Sequence, residues 1–266
     1  VLGVREISPG DFVAMTEALE LRNKLTVPGG GTGVQNRFVA VAGRKGSGKS
    51  TLTREILRHV PRLFLFDTMG EHHWVPDEFT DLAEAQVFIW ETSQTVEGFC
   101  ASYISESAAS KSLETDFCEI SIAVYEVGNL TYVVEEIPML SNPQWVPEPF
   151  DRIIRLGRHR GINMLYTAQR LGECPRRLTA ATDVFVLFKH TEPRDLDAIA
   201  ERCGPEVARL VTVLDEHEFV VFDVHEGQLV KISPEWYDAV LSSGFEFAPA
   251  SDKWHGRMLW SETDAG

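Results

Sequence analysis

"VAGRKGSGKSTLTREIL", Val41 to Leu57, decides how the rest of the chain is read. The apolar run "RFVAVA" leads into it and reads as a buried strand. Gly43, Arg44, Lys45, Gly46, Ser47, Gly48, Lys49 and Ser50 then fill G-x-x-x-x-G-K-[ST] at every fixed position. Apolar residues at Leu52, Ile56, Leu57 and Val60 mark one face of a helix. Strand, glycine loop and helix together make a phosphate cradle. The glycines let backbone N–H groups point inward, and the helix N-terminus adds positive potential. Lys49 is expected to bridge the β- and γ-phosphates, Ser50 to ligate Mg²⁺, and Thr51 to sit near the α-phosphate. ATP and Mg²⁺ are the implied cofactors.

Such a loop needs a partner strand that ends in carboxylates, and "YVVEE" supplies one. Glu135 is placed to hold the Mg²⁺ shell through water, and Glu136 to polarise an attacking water as general base. Adjacent residues on an extended strand point to opposite faces. The two acids share a site only if the strand ends there and the backbone turns. Pro138 favours that ending, because it biases Ile137 away from helix. Small-molecule kinases need no base for water, so an in-chain glutamate here points to NTP hydrolysis.

"RLFLFD", "AQVFIW", "INMLYTAQ" and "DVFVLFKH" read as further strands. "AQVFIW" lies between the two motifs, so an extra strand is expected between the phosphate strand and the acidic strand. "SQTVEGFCASYIS", "FCEISIAVYEVG", "PFDRIIRLGRHRG", "PRDLDAIAERCG" and "EVARLVTVL" read as helices, the third stopping at Gly161. "EFVVFDVHEGQLVKI" reads as a hairpin turning at Glu226–Gly227. The alternation argues for an α/β fold with a mostly parallel sheet flanked by helices; the glycine loop, the inserted strand and the in-chain glutamate together make the expected fold a P-loop NTPase of the RecA-like (ASCE) kind. Residues 1–33 are expected to form a helical appendage and glycine joint, 34–244 the P-loop domain, and 245–266 a C-terminal arm. Trp254 and Trp260 in that arm suit docking on a neighbour.

Forty acidic against twenty-five basic residues give a net charge of −15. A whole-surface nucleic-acid binder is usually basic, so any such contact must be a local patch. The bland alternative is a soluble acidic protein. Cys100, Cys118, Cys174 and Cys203 form no CxxC pair and read as reduced structural thiols. Neither a secretory signal nor a run long enough for a membrane span is visible. Asp67, Glu71, His72 and His73 gather metal-capable side chains after the second strand, although a polar loop over the nucleotide or a subunit interface is the favoured reading.

"YVVEE" followed by "RLGRHRGINMLYTAQRL" resembles the FtsK/HerA superfamily of ring-forming, DNA-pumping ATPases. That group follows its acidic strand with a helix ending in Arg-x-x-Gly-Ile and a strand closing on Thr-Gln; here the spelling is Thr-Ala-Gln. "LFLFDTMGEHH" also resembles a "DPKGE" segment of the HerA branch. The likeness spans about Arg37 to Ala200. It implies that Gln169 is a polar sensor of the γ-phosphate or water. It implies that Arg158 is a finger inserted into a neighbour's site, with Arg155 and Arg160 as rivals. The competing reading of the stripe Arg152, Arg155, Arg158 is surface salt bridges.

Glu135 departs from the resemblance, since that slot is often Asp. The chain is also short for the family, with no room for the HerA barrel in its first residues. A nearly bare motor resembles the genome-packaging ATPases of tailless, membrane-containing viruses. The resemblance then implies a homo-oligomeric ring, hexamer or pentamer, that moves double-stranded DNA into a preformed capsid. Its place would be the host cytoplasm or a virion vertex, with capsid-vertex or membrane proteins met through the terminal arm. Arg176, Arg177 and Lys111, the last read as lying in a loop, are candidates for DNA contact. Rival readings are a HerA-like translocase in repair or defence, a filamentous-phage assembly or secretion ATPase, and a non-motor kinase or switch.

Overall fold

The structure, a computed structural model, describes residues 4–7, 36–58, 60–93, 98–105 and 110–242. Its first half comprises β1 (Val4–Ile7), β2 (Phe38–Ala42), α1 (Lys49–Leu57), β3 (Arg62–Asp67), β4 (Asp77–Phe79), α2 (Leu82–Ser93), β5 (Phe99–Ile104) and α3 (Ser110–Val127). The second half comprises β6 (Thr131–Val134), α4 (Glu148–Leu156), β7 (Asn163–Ala168), α5 (Arg176–Ala180), β8 (Val184–Phe188), α6 (Pro193–Cys203), α7 (Pro205–Leu210), β9 (Phe219–Asp223), β10 (Gln228–Ile232) and α8 (Glu235–Ser242).

The strands form one sheet in the order β1-β10-β9-β8-β2-β7-β6-β3-β5-β4. From β8 through β4 every neighbouring pair is parallel. β9 runs against both β8 and β10, closing the expected hairpin. β1, drawn from the stretch read as an appendage, pairs with β10 in parallel. The helix expected over Phe12–Leu21, the glycine joint and the arm with Trp254 and Trp260 lie outside the described residues.

Alternation along each strand divides the core into two layers. Val39, Val41, Leu63, Leu65, Val133 and Leu165 pack beneath α1 and α8, whose Leu52, Ile56, Leu57 and Trp236 are buried there. Phe64, Phe66, Tyr132 and Tyr166 point the other way, against Phe117 of α3, Phe150 of α4 and Ile199 of α6. Both faces are covered, which is why these strands read as continuous apolar runs. Cys100, Cys118, Cys174 and Cys203 are free thiols, and burial pushes each one's pKa up.

Two expected elements are exchanged. "AQVFIW" lies inside α2, not in a strand. Ala85, Phe88, Ile89 and Thr92 recur at helical spacing and are buried, whereas Val87 and Trp90 are 55% and 60% exposed. Asp81 Oδ1 accepts the Glu84 N–H at 2.9 Å and so caps the first turn. "FCASYI", read as part of a helix, is β5, which pairs with β3 on one side and β4 on the other. An inserted strand does separate the phosphate strand from the acidic strand, but it is β7, the strand leading to Gln169. Lys111 lies in the first turn of α3 rather than in a loop.

Candidate nucleotide site

Register brings the motifs to one end of the sheet. Ala42 pairs with Ala168, and Val134 with Tyr166, so Gly43, Glu135 and Gln169 all follow the carboxyl ends of adjacent strands. That edge is where α/β sheets bind ligands.

The loop between β2 and α1 depends on two glycines in particular. A Cβ at Gly43 would lie 2.6 Å from Phe188 Cβ and 2.8 Å from Ser47 Oγ. Gly48 has φ +100, a conformation L side chains avoid, and it turns the chain into α1. Lys49, the first helical residue, is buried; its Nζ donates to the Arg44 carbonyl at 3.3 Å. Burial lowers its pKa, while Glu136, Glu135 and Glu71 oppose that fall. Ser50 is exposed and Thr51 half-buried at the start of the helix. Residues that flank the β9–β10 hairpin support the loop. His217 Nδ1 donates to the Ser47 carbonyl at 3.2 Å, its ring stacks on Tyr237 at 3.8 Å, and Trp236 Nε1 donates to its carbonyl at 2.7 Å. A cavity of about 280 Å³ opens beside the loop, lined by Arg44, Lys45, Lys189, Asp215 and His217 among others.

The acidic strand ends as the proline suggested. β6 stops at Val134, Glu136 takes a left-handed backbone (φ 47, ψ 58), and a 3-10 turn runs over Ile137–Met139. The Glu136 N–H donates to Thr167 Oγ1 at 2.9 Å, which fixes the turn. Glu136 Oε2 accepts the Gln169 backbone N–H at 3.2 Å, and Oε1 lies 4.0 Å from Lys49 Nζ. Glu136, Lys49 and Gln169 are therefore brought together, with the Gln169 side chain exposed.

Glu135 is buried, and its Oε1 lies 2.8 Å from His72 Nε2. Burial pushes its pKa up to about 7; His72 pulls the other way, and neighbouring Asp67 adds to the rise. Glu135 Oε2 is buried with no hydrogen-bond donor among the described residues. An orphaned carboxylate oxygen beside a P-loop fits a place in a divalent cation's shell.

The arginines lie elsewhere. The Gly157–Arg160 turn feeds the amino end of β7, so Arg158 sits a strand length, roughly 20 Å, from the P-loop edge. Arg152 pairs with Glu126 at 3.5 Å and lies over the Tyr125 ring at 4.0 Å. Arg155 pairs with Asp151 at 2.9 Å, and Arg160 donates to the Tyr125 and Glu126 carbonyls. Arg158 makes no ion pair among the described residues; its Nε meets His159 Nε2 at 3.4 Å. It borders an open cavity of about 590 Å³ with Arg155, His159, Asp183 and His225. Arg176 and Arg177 begin α5, and one Arg177 nitrogen donates to both Asp151 oxygens at 2.9 Å.

Fold and loop together define a P-loop NTPase architecture. By sequence the chain matches no family model and no curated protein. In structure it is similar to the genome packaging NTPase B204 from Sulfolobus turreted icosahedral virus 2 in complex with ATP-gammaS. That match has 19% identity and TM-score 0.60, and covers 75% of this chain and 98% of the other. It is also similar to B204, the DNA-packaging ATPase from Sulfolobus Turreted Icosahedral Virus, at 18% identity and TM-score 0.59, covering 76% and 99%. VirB4 of Thermoanaerobacter pseudethanolicus follows at 12% identity and TM-score 0.55, covering 77% and 92%. At these identities the likeness is one of fold, and that fold is the mostly parallel α/β sheet of a P-loop ATPase expected from the sequence. No helix among the described residues is long and apolar enough to cross a membrane.

Proposed function

We propose that this protein is an ATP-hydrolysing motor that works as a homo-oligomeric ring, moves double-stranded DNA, and packages a viral genome. The observation that carries the ring is Arg158. Its neighbours in the stripe are tied to partners on their own subunit, whereas its guanidinium makes no ion pair among the described residues, meets only the adjacent His159, and is remote from its own Lys49. Such a residue serves hydrolysis only from a neighbouring copy, where it would offset charge on the transferring phosphoryl group.

Within one subunit the division of labour follows from position. The loop N–H groups and Lys49 hold the phosphates. Glu136, oriented by the Gln169 backbone N–H, takes the proton of the attacking water. Mg²⁺ would be held by Ser50 and, through water, by Glu135, and would neutralise phosphate charge when bound.

DNA as cargo draws on the likeness to B204, described as a DNA-packaging ATPase. A chain of −15 net charge confines DNA contact to local patches, which lets the polymer slide without sticking. Arg176 is the better candidate of the α5 pair, because Arg177 is committed to Asp151. ATPase rate against protein concentration, with and without double-stranded DNA, tests the reading. Cooperative dependence on concentration and salt-sensitive stimulation by DNA are expected. DNA-independent hydrolysis by a monomer would sink it.

A further inference from the structure

We propose that His72 is a positioning residue for Glu135, and that Trp74 sets which of its ring nitrogens carries the proton. The inference rests on the ATPase reading above and names a part of that site outside both nucleotide motifs.

The loop after β3 is built around one carboxylate. Asp67 Oδ1 accepts the N–H groups of Met69, Gly70 and Glu71 at 3.2, 2.8 and 3.4 Å, and Oδ2 accepts that of His72 at 2.9 Å. Thr68 Oγ1 donates to the Glu135 carbonyl at 3.1 Å. β3 and β6 are sheet neighbours, so this loop is pinned beside the acidic strand end.

His72 is 2% exposed, and its two nitrogens have distinct partners. Trp74 Nε1 lies 3.0 Å from His72 Nδ1. An indole nitrogen only donates, so Nδ1 is an acceptor and the proton of the neutral ring is on Nε2. Nε2 therefore donates to Glu135 Oε1 at 2.8 Å. With Oε1 held, the carboxylate no longer swivels, and Oε2, which has no donor among the described residues, is presented in one direction. A hydrogen bond to the oxygen not facing the ion is how outer partners orient metal-binding carboxylates.

The same three side chains bring ligand atoms within 4.8 Å of one another, a spacing also compatible with a metal held by Asp67, His72 and Glu135 directly. Two features favour positioning. The Trp74 N–H leaves a proton on the nitrogen a metal would need, and the Asp67 oxygens already accept four backbone N–H groups.

The test compares the wild-type chain with His72→Ala, His72→Gln and Trp74→Phe. Mn²⁺ affinity of the protein–ADP complex is read by electron paramagnetic resonance, and Mg²⁺ half-saturation of ATP hydrolysis is read beside it. ADP affinity in EDTA and tightly bound metal content serve as controls. His72→Ala is expected to weaken Mn²⁺ binding and raise the Mg²⁺ requirement ~10- to 100-fold, with ADP affinity in EDTA unchanged. Glutamine carries an amide N–H to about the place of Nε2, so His72→Gln should restore both values to within a few fold. Trp74→Phe, which keeps an aromatic ring and removes the donor, should fall between. Unchanged Mn²⁺ affinity in His72→Ala overturns the proposal, as does a stoichiometric transition metal in the wild type that His72→Gln loses. If His72→Ala fails to fold, the contrast between a weakened Trp74→Phe and an intact His72→Gln decides, and its absence overturns the proposal. A wild-type chain without Mg²⁺-dependent hydrolysis sinks the ATPase reading and this inference with it. Normal hydrolysis with indifferent His72 variants sinks this inference alone.

Discussion

Glu136 and Lys49 face each other across the inserted strand β7, with Oε1 4.0 Å from Nζ, while the other Glu136 oxygen takes the Gln169 N–H. The left-handed backbone at Glu136 is what turns its carboxylate towards the loop instead of away from Glu135. Glu136→Gln keeps the shape and removes the base. It should leave nucleotide affinity near wild type and lower turnover by ~10²- to 10⁴-fold. Turnover close to wild type would remove Glu136 from the chemistry.

Gly43 is fixed by space rather than by φ. Its would-be Cβ meets Phe188 Cβ at 2.6 Å, and that atom is anchored in β8 next door. Gly43→Ala should cost ~1–3 kcal/mol in urea unfolding, as overpacked cores do, and should also weaken nucleotide binding, because the loop must move. An alanine variant with both properties unaltered would show that the loop relaxes freely.

What the sequence made legible was local. The glycine loop, the "YVVEE" ending and the β9–β10 hairpin each place their defining residues within a few positions of one another; the helix expected to run to Gly161 is α-helical only to Leu156, and Gly161 ends the 3-10 turn that follows. The exchange of α2 and β5 shows where that fails. "AQVFIW" and "FCASYI" are both short apolar runs, and periodicity alone does not separate a buried strand from a helix segment. Burial of Ala85, Phe88 and Ile89 beside exposed Val87 and Trp90 becomes visible only once the sheet is assembled. The buttress under the P-loop was illegible for another reason: His217 and Ser47 are 170 residues apart, and no spacing rule links them. The His72–Glu135 pair spans 63 residues; the acids and histidines after β3 drew notice, but not the partner that gives them a role.

Glu135 makes the Mg²⁺-free protein sensitive to pH. Its folded pKa of about 7 lies above the ordinary 4.5, with burial as the main cause. The folded state then keeps a proton that the unfolded chain releases. Stability is fully present below about 4.5 and is lost as pH rises towards 7, with a slope of up to ~1.4 kcal/mol per pH unit. Urea unfolding in EDTA should show this fall, and Glu135→Gln should flatten it. Parallel curves for the two proteins would mean that the carboxylate titrates normally.

The two arginines at the start of α5 should separate in solution. Arg177→Ala removes one of the two arginines paired with Asp151, a contact whose arginine is mostly exposed, and should lower stability by at most ~1 kcal/mol. Arg176→Ala breaks no ion pair among the described residues and should leave stability unchanged, while reducing the salt slope of DNA binding by about one. A salt slope that responds to Arg177 and ignores Arg176 would reverse the assignment.

Arg158 gives the sharpest distinction between a motor and a self-sufficient enzyme. Arg158→Ala should bind nucleotide normally and lose ~10³-fold or more of its hydrolysis. Arg155→Ala breaks an exposed pair with Asp151, should cost at most ~1 kcal/mol of stability, and should keep its activity. Lys49→Ala should be inactive because its own cradle is broken, yet it still presents Arg158 on its far end. In a mixed ring, a Lys49→Ala subunit can therefore serve the intact P-loop of an Arg158→Ala neighbour. Mixing the two inactive variants should restore part of the ATPase rate, with a maximum near equal proportions. No restoration at any ratio, together with full activity of Arg158→Ala alone, would place all of the catalytic groups on one subunit.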